Sequence, residues 1–148
     1  AAKAVAFSEA LEPSFITYQK QVIANAKVMA DSFMAVGYDV ISRGTDNHSL
    51  MVDQRNKDIT GKEAERVLGL VDITVNKNMV PFDTQSPFVT SGIRIGTPAI
   101  TTRGLKSPEC KRVVELIDAA IENRDNPSEL ERIRFQVGGM MRLLPLFG

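Results

Sequence analysis

The sequence has few of the residues on which disulfide frameworks and metal centres depend. It contains one cysteine, Cys110, and one histidine, His48, among 148 residues. A single cysteine excludes an internal disulfide and any multi-cysteine metal site, and a lone histidine leaves a histidine-based triad or metal site without its usual partners. We therefore predict no metal site, an exposed or turn-stabilising role for His48, and a small buried side chain at Cys110. A reducing, cytoplasmic compartment is the default for such a chain.

The sequence also lacks an excess of positive or negative charge and any long apolar run. The 18 basic and 18 acidic residues give a formal net charge of zero, so the sequence carries no electrostatic footprint for nucleic acid or for an anionic membrane. No apolar run approaches the roughly 18–20 residues of a membrane span. Glycine-rich phosphate loops, paired-carboxylate motifs and serine elbows are absent from the sequence as well. A globular domain without nucleic-acid or membrane partners is therefore expected.

Apolar periodicity predicts helices at both ends of the chain and short strands between them. After a first helix over residues 3–10, a long amphipathic helix is predicted from Ser14 to Val36, with Gly37 as its stop. The first residues are typical of the middle of a helix, so we expect a piece of a longer protein. The other predicted elements are strands at Tyr38–Ser42, Ser49–Gln54, Ile73–Asn76 and around residues 93–95, and helices over residues 60–70 and from Ser107 and Asn126 onward. This order predicts an α+β fold, a small mostly antiparallel sheet covered by helices and preceded by a long N-terminal helix.

The stretch "SPFVTSGIRIGTPAITTRG" places a single arginine, Arg94, in the middle of a predicted strand. The nearest acid in the sequence is Asp83, eleven positions upstream. Because neighbouring strand residues point to opposite faces, the isoleucines on both sides of Arg94 can enter the core while Arg94 points away from it. Gly92 and Gly96 would leave the guanidinium uncrowded or let another backbone approach. The planar fork suits a carboxylate or phosphate, although the pattern alone fits a solvated arginine on an open sheet face equally well.

The segment Lys77–Phe88 is long for a connection inside a compact domain, and such loops are often functional. Hydrogen-bonding side chains and flat apolar surfaces occur together in and beside it, at Asn76, Asn78, Phe82, Ser86 and Phe88. This mixture suits a planar ligand with polar edges. A packed surface loop is the alternative.

Several motifs resemble one known family. The runs "NHSLMVD", "TGKEAE", "ITVNKN", "PFD" and above all "SPFVTSGIRIGTPAITTRG" closely resemble the C-terminal domain of serine hydroxymethyltransferase. The resemblance implies a fold-type I enzyme that interconverts serine and glycine with pyridoxal phosphate and tetrahydrofolate. It also implies that residues 1–148 form the small domain, with 1–36 as a helical connection to a large domain and 37–148 as the α+β domain.

The resemblance assigns roles to individual residues. Arg94 matches the family arginine that pairs with the amino-acid carboxylate. The positions that line the folate pocket in this family are matched by Asn78, Ser86, Pro87 and Phe88. For Arg103, which lies in the same motif, we expect a structural role. Met79 departs from the family pattern, in which many members carry serine, and this affects the detail of the folate loop.

The resemblance also indicates what this chain does not carry. The family's Schiff-base lysine lies in a Thr-rich stretch ending His-Lys-Thr, and none of the eight lysines has that context. We therefore expect no catalytic residue here, an inactive fragment on its own, and partners in a large domain and a second subunit of a homodimer or homotetramer. The alternative is a free-standing α+β ligand-binding or regulatory module that uses Arg94 as an anion clamp.

Overall fold

A helical N-terminus leads into a four-stranded sheet in the computed structural model, which describes residues 1–145. The described chain contains α1 (Ala2–Leu11), α2 (Pro13–Ala35), β1 (Asp39–Val40), β2 (Ser49–Asp53), α3 (Gly61–Leu70), β3 (Asn76–Asn78), β4 (Gly92–Gly96), α4 (Pro98–Thr102), α5 (Ser107–Glu122) and α6 (Pro127–Arg142), with short 3₁₀ helices at Ile41–Arg43 and Arg55–Lys57. The predicted α+β class is confirmed.

The sheet is antiparallel throughout and has the strand order β1-β2-β4-β3. β4 therefore lies inside the sheet, between β2 and β3. In this register Arg94 lies opposite Met51 of β2 on one side and opposite Asn76 of β3 on the other. Residues directly opposite each other share a face, so these three side chains belong to the same surface of the sheet.

The other face of the sheet forms the hydrophobic core together with the helices. Strand residues Leu50, Val52, Ile93 and Ile95 are buried in one cluster with residues of α2, α3, α5 and α6. Burying a large apolar side chain contributes roughly 1.5–3 kcal/mol, so this one-sided packing fixes the orientation of β4. With its isoleucines in the core, β4 has to present Arg94 on the opposite face.

The long helix α2 begins and ends within one residue of its predicted bounds. Pro13 occupies its first turn, where the missing N–H costs no hydrogen bond. Gly37 follows the helix with a φ of +87°, a left-handed conformation that glycine adopts without strain. The apolar residues of α2 recur at spacings of three and four, which predicts one inward face. Within this set Val22, Ala26, Met29 and Phe33 are buried, Tyr18 is half-buried and Val36 is exposed.

Two predicted strands are placed differently in the structure. β1 is shorter than Tyr38–Ser42, because Ser42 and Arg43 take positive φ values of 62° and 52° and leave the extended conformation. The strand predicted at Ile73–Asn76 begins only at Asn76. Asp72 is left-handed and the Ile73 amide donates back to the Leu68 carbonyl, so the end of α3 occupies the first predicted strand positions.

The helix starts show smaller differences. α4 was not predicted; it is a single short turn after Thr97 with proline in its first position. α5 is capped at Lys106 and not at Ser107, and the Glu109 carboxylate accepts the Lys106 amide proton at 3.0 Å. At α3 and α6 the predicted caps are confirmed, with the side chains of Thr60 and Asn126 accepting N–H groups of the first turn.

Candidate functional site

Arg94 is exposed at the centre of the sheet face that the helices leave uncovered. Among residues 1–145, none forms a hydrogen bond or an ion pair with its guanidinium. Five donors in a fixed planar fork are therefore available to a ligand. A carboxylate matches this fork in size and geometry and would accept two parallel hydrogen bonds.

Asp83 is the acid nearest to Arg94 in sequence and Asp53 is the acid nearest to it in strand register, and both are bound elsewhere. Asp53 lies opposite Gly92 on the same sheet face, but its buried carboxylate accepts Nε of Arg55 at 3.0 and 2.9 Å and the Arg55 amide at 3.0 Å. Asp83 accepts hydrogen bonds within its own loop. The positive charge of Arg94 therefore remains without a counter-ion from either acid.

The carboxylate of Asp83 is held in its charged form by its surroundings. Partial burial raises its pKa, but hydrogen bonds from the Ser91 hydroxyl and from the amides of Gln85, Val80 and Ser91 outweigh this effect and lower the pKa to about 2. Donors that stabilise the anion lower a carboxyl pKa in this way. Asp83 is therefore a fixed negative charge that organises its loop.

The two glycines of β4 differ in what lies next to them. A Cβ at Gly92 would stand 2.5 Å from Cγ1 of Val80 and 3.0 Å from the Val52 carbonyl oxygen, so the loop and neighbouring strands already fill this position. At Gly96 the nearest atoms would be 3.8 and 3.9 Å away. The face beside Arg94 is thus closed at Gly92 and open at Gly96.

An open crevice of about 590 Å³ borders Arg94. Its walls are α2 and the segment between β1 and β2, and its charged lining residues are Lys27, Asp31, Arg43, Asp46 and Arg94. Three basic and two acidic side chains give this lining one formal positive charge in excess. The contribution of α2 could not be predicted from the sequence, because Lys27 and Asp31 belong to the ordinary polar face of an amphipathic helix.

The residues predicted for a planar ligand lie in β3 and in the loop that returns to β4. Asn78 follows Asn76 by two positions in β3, so it shares the face of Arg94, and its Nδ2 lies 3.8 Å from Sδ of Met51. Ser86, Pro87 and Phe88 are exposed in the loop that returns to β4, with 82% of Phe88 accessible to solvent. Phe88 therefore offers a flat apolar surface at the edge of the sheet.

Three further residues take the roles expected for them. Arg103 donates Nε to the Leu144 carbonyl at 2.7 Å and Nη2 to the Met141 carbonyl at 2.9 Å, which ties α4 to the end of α6. His48 is exposed beside β2. Burial raises the pKa of the Cys110 thiol to about 11, with the neighbouring Glu109 adding to the effect.

Over residues 1–145, no group of three or more His, Cys, Asp or Glu side chains is arranged to hold a metal ion. No helix in that range is long and apolar enough to cross a membrane.

Together, the fold and the site define an α+β domain. Within residues 1–145, its open sheet face presents Arg94 without a hydrogen-bond or ion-pair partner, and the loop before β4 carries exposed aromatic residues. The family model for serine hydroxymethyltransferase matches residues 1–117, and the chain belongs to this family. The chain is similar to a curated serine hydroxymethyltransferase of Halorhodospira halophila, with 53% identity over 148 residues. That match covers 100% of this chain and 36% of the relative, so the chain spans about a third of the relative's length.

Proposed function

We propose that the chain is the C-terminal small domain of a glycine/serine hydroxymethyltransferase, which interconverts serine and glycine with tetrahydrofolate and 5,10-methylenetetrahydrofolate. The observation that carries the proposal is that no residue among 1–145 pairs with the Arg94 guanidinium on the open sheet face, while Asp53 and Asp83 are both bound elsewhere. Membership of the family supports this choice of reaction.

Arg94 binds the carboxylate of serine or glycine in this proposal. The Arg94 guanidinium would donate to both carboxylate oxygens from the Gly96 side, where the strand leaves space. Bidentate pairing fixes the position and orientation of the carboxylate as well as its charge. The α-carbon next to that carboxylate would then be held in one place relative to the rest of the active site.

Tetrahydrofolate binds along the loop in this proposal. Phe88 provides a flat apolar surface, while Asn78 and Ser86 provide hydrogen-bonding groups. Pro87 holds the backbone before Phe88 in one φ range. The exposure of Ser86, Pro87 and Phe88 supports a ligand that covers them when it binds.

The cofactor contacts of this family do not fit the described residues. Pyridoxal phosphate needs a lysine that can lose its proton, and when bound it serves as an electron sink for the amino acid. Six of the eight lysines are exposed, and the two half-buried ones, Lys57 and Lys77, are paired with carboxylates. Burial lowers the pKa of Lys57, but Glu122 and Asp118 outweigh it and raise the pKa above its ordinary value. We therefore place the cofactor-binding lysine outside these 148 residues, and the chain alone is inactive.

The N-terminal helices connect this domain to the remainder of the protein in the proposal, with residues 1–36 as the connection and 37–148 as the α+β domain. α1 has no buried residue, and Val5, Phe7 and Leu11 are exposed along it. Apolar side chains on one helix support packing against a large domain or a second subunit of a homodimer or homotetramer. The protein would act in the cytoplasm in one-carbon metabolism.

The folate part of the proposal is tested by Phe88→Ala in the whole protein. Tetrahydrofolate-dependent turnover should fall, while folate-independent cleavage of 3-hydroxy amino acids should be retained. Phe135→Ala is the matched control, because Phe135 is also an exposed phenylalanine but lies on α6. Equal loss of both activities in Phe88→Ala would indicate a folding defect and contradict the folate role.

A further inference from the structure

One carboxylate joins the two ends of the loop that carries the exposed residues. Oδ2 of Asp83 accepts the amides of Val80 at 3.1 Å and Ser91 at 2.9 Å. Oδ1 accepts the amide of Gln85 at 2.9 Å and the hydroxyl of Ser91 at 2.7 Å. Ser91 is eight residues beyond Asp83, so these bonds close the segment that contains Ser86, Pro87 and Phe88.

The segment is fastened to the rest of the domain just before β4 begins. The amides of Gly61 and Lys62, in the first turn of α3, donate to the carbonyls of Thr90 at 3.0 Å and Val89 at 2.9 Å. The Gln54 amide donates to the Ser91 carbonyl at 2.8 Å. The end of the loop is therefore attached to rigid elements, whereas its exposed middle depends on Asp83 and on a turn in which the Ser86 carbonyl accepts the amides of Val89 and Thr90.

The backbone conformation of Thr90 shows that the hydrogen bonds that close the loop constrain the chain. Its φ is +59°, which is an outlier for a β-branched residue. Such conformations persist only where the surrounding structure determines them, and they concentrate at ligand-binding sites. Here the surrounding structure is the set of hydrogen bonds on both sides of Thr90.

We infer that Asp83 is a positioning residue for the folate loop, and that it acts by holding Ser86, Pro87 and Phe88 in their binding conformation through Ser91. This inference rests on the proposed folate role of the loop. Arg94 does not depend on Asp83, because β4 is held on both sides by the ladders to β2 and β3. A change at Asp83 should therefore alter the conformation of the folate loop without altering the position of Arg94.

Asp83→Asn in the whole protein is the first test. The side chain of asparagine has one oxygen that accepts hydrogen bonds and one NH₂ group that does not. Two of the four donors around position 83 would therefore face the NH₂ group. Losing one charge-assisted hydrogen bond predicts a rise of about ten- to a hundredfold in the KM for tetrahydrofolate. Glycine binding and folate-independent cleavage of 3-hydroxy amino acids should stay within about twofold, which is near the ordinary scatter of a surface substitution. Amide hydrogen exchange should rise over residues 80–91 and remain unchanged in β2.

Two further variants keep the result interpretable. Ser91→Ala removes only the hydroxyl donor and should reproduce the selective rise in KM to a smaller extent, so it decides the question if Asp83→Asn fails to fold. Asp58→Asn is the matched control, because Asp58 is an exposed acid for which no side-chain hydrogen bond is found within residues 1–145.

The outcomes distinguish this inference from the proposed function. An unchanged KM for tetrahydrofolate in folded Asp83→Asn, with Phe88→Ala impaired, would overturn the positioning role alone. An unchanged KM in both variants would overturn the folate role of the loop and this inference with it. Equal loss of folate-dependent and folate-independent activity in Ser91→Ala would assign the Asp83–Ser91 pair to general stability instead.

Discussion

Replacing Arg94 by lysine tests the carboxylate role with little disturbance to the fold. Lysine keeps the positive charge but replaces two parallel hydrogen bonds by one point contact. A hydrogen bond to a charged group contributes roughly 1.5–3 kcal/mol, so the apparent affinity for glycine and serine should fall about ten- to a hundredfold. Arg94→Ala should weaken binding further, because it leaves the carboxylate without any counter-charge.

The structure predicts that these variants fold normally. Arg94 is exposed and has no hydrogen-bond or ion-pair partner among residues 1–145, so its removal breaks no contact of those kinds within the described chain. Unfolding free energies should remain within about 0.5 kcal/mol of the parent protein. The bound cofactor's absorbance should also persist, since we place its lysine outside this chain.

The assay is a titration of the whole protein with glycine and with serine, accompanied by thermal unfolding. Arg112→Lys is the matched control, because Arg112 is exposed on α5 and bonded to Glu115 and Gln136. Near-normal binding of both amino acids by Arg94→Ala would refute the carboxylate role. A large fall in the melting temperature of Arg94→Ala would instead show that Arg94 has a structural role.

Three other predictions concern the surroundings of the site. Gly92→Ala should destabilise the protein by roughly 1–3 kcal/mol, because its Cβ overlaps Val80, whereas Gly96→Ala should be tolerated; urea unfolding compares the two. Borohydride reduction of the whole protein should attach the cofactor to a lysine outside these 148 residues, and peptide mapping would contradict this if the label were found within them. The pKa of Asp83 is lowered from 3.8 to about 2, so its stabilising contribution is complete above pH 3.8 and is lost as the pH falls toward about 2. The stability gap between parent and Asp83→Asn should therefore narrow over that range, and a constant gap would contradict it.

The sequence was sufficient to predict the features that depend on periodicity and on local chemistry. Alternation placed Ile93 and Ile95 in the core and Arg94 on the opposite face, because one-sided burial determines strand register. Proline and glycine marked the ends of α2 for steric reasons that hold in any fold. The resemblance of the motifs to the family then predicted a specific role for Arg94, which the pattern alone had left open.

The features that were missed depend on contacts between distant segments or on the local backbone. β3 begins at Asn76 because the end of α3 folds back on itself, which the apolar run before Asn76 does not reveal. In the sequence, Asp83 was identified only as the acid nearest to Arg94. Aspartate side chains in turns commonly accept the backbone amide two residues further on, as Asp83 accepts that of Gln85. Its bonds to Ser91 depend on where the loop returns. The crevice wall from α2 is likewise set by helix packing.

A crystal structure of the whole protein with glycine bound would test the central claim most directly. We predict that both carboxylate oxygens lie within about 2.7–2.9 Å of guanidinium nitrogens of Arg94, as in other bidentate charge-assisted pairs. The ligand should lie on the Gly96 side of Arg94. A glycine carboxylate held by other residues, with Arg94 still free in solvent, would contradict it.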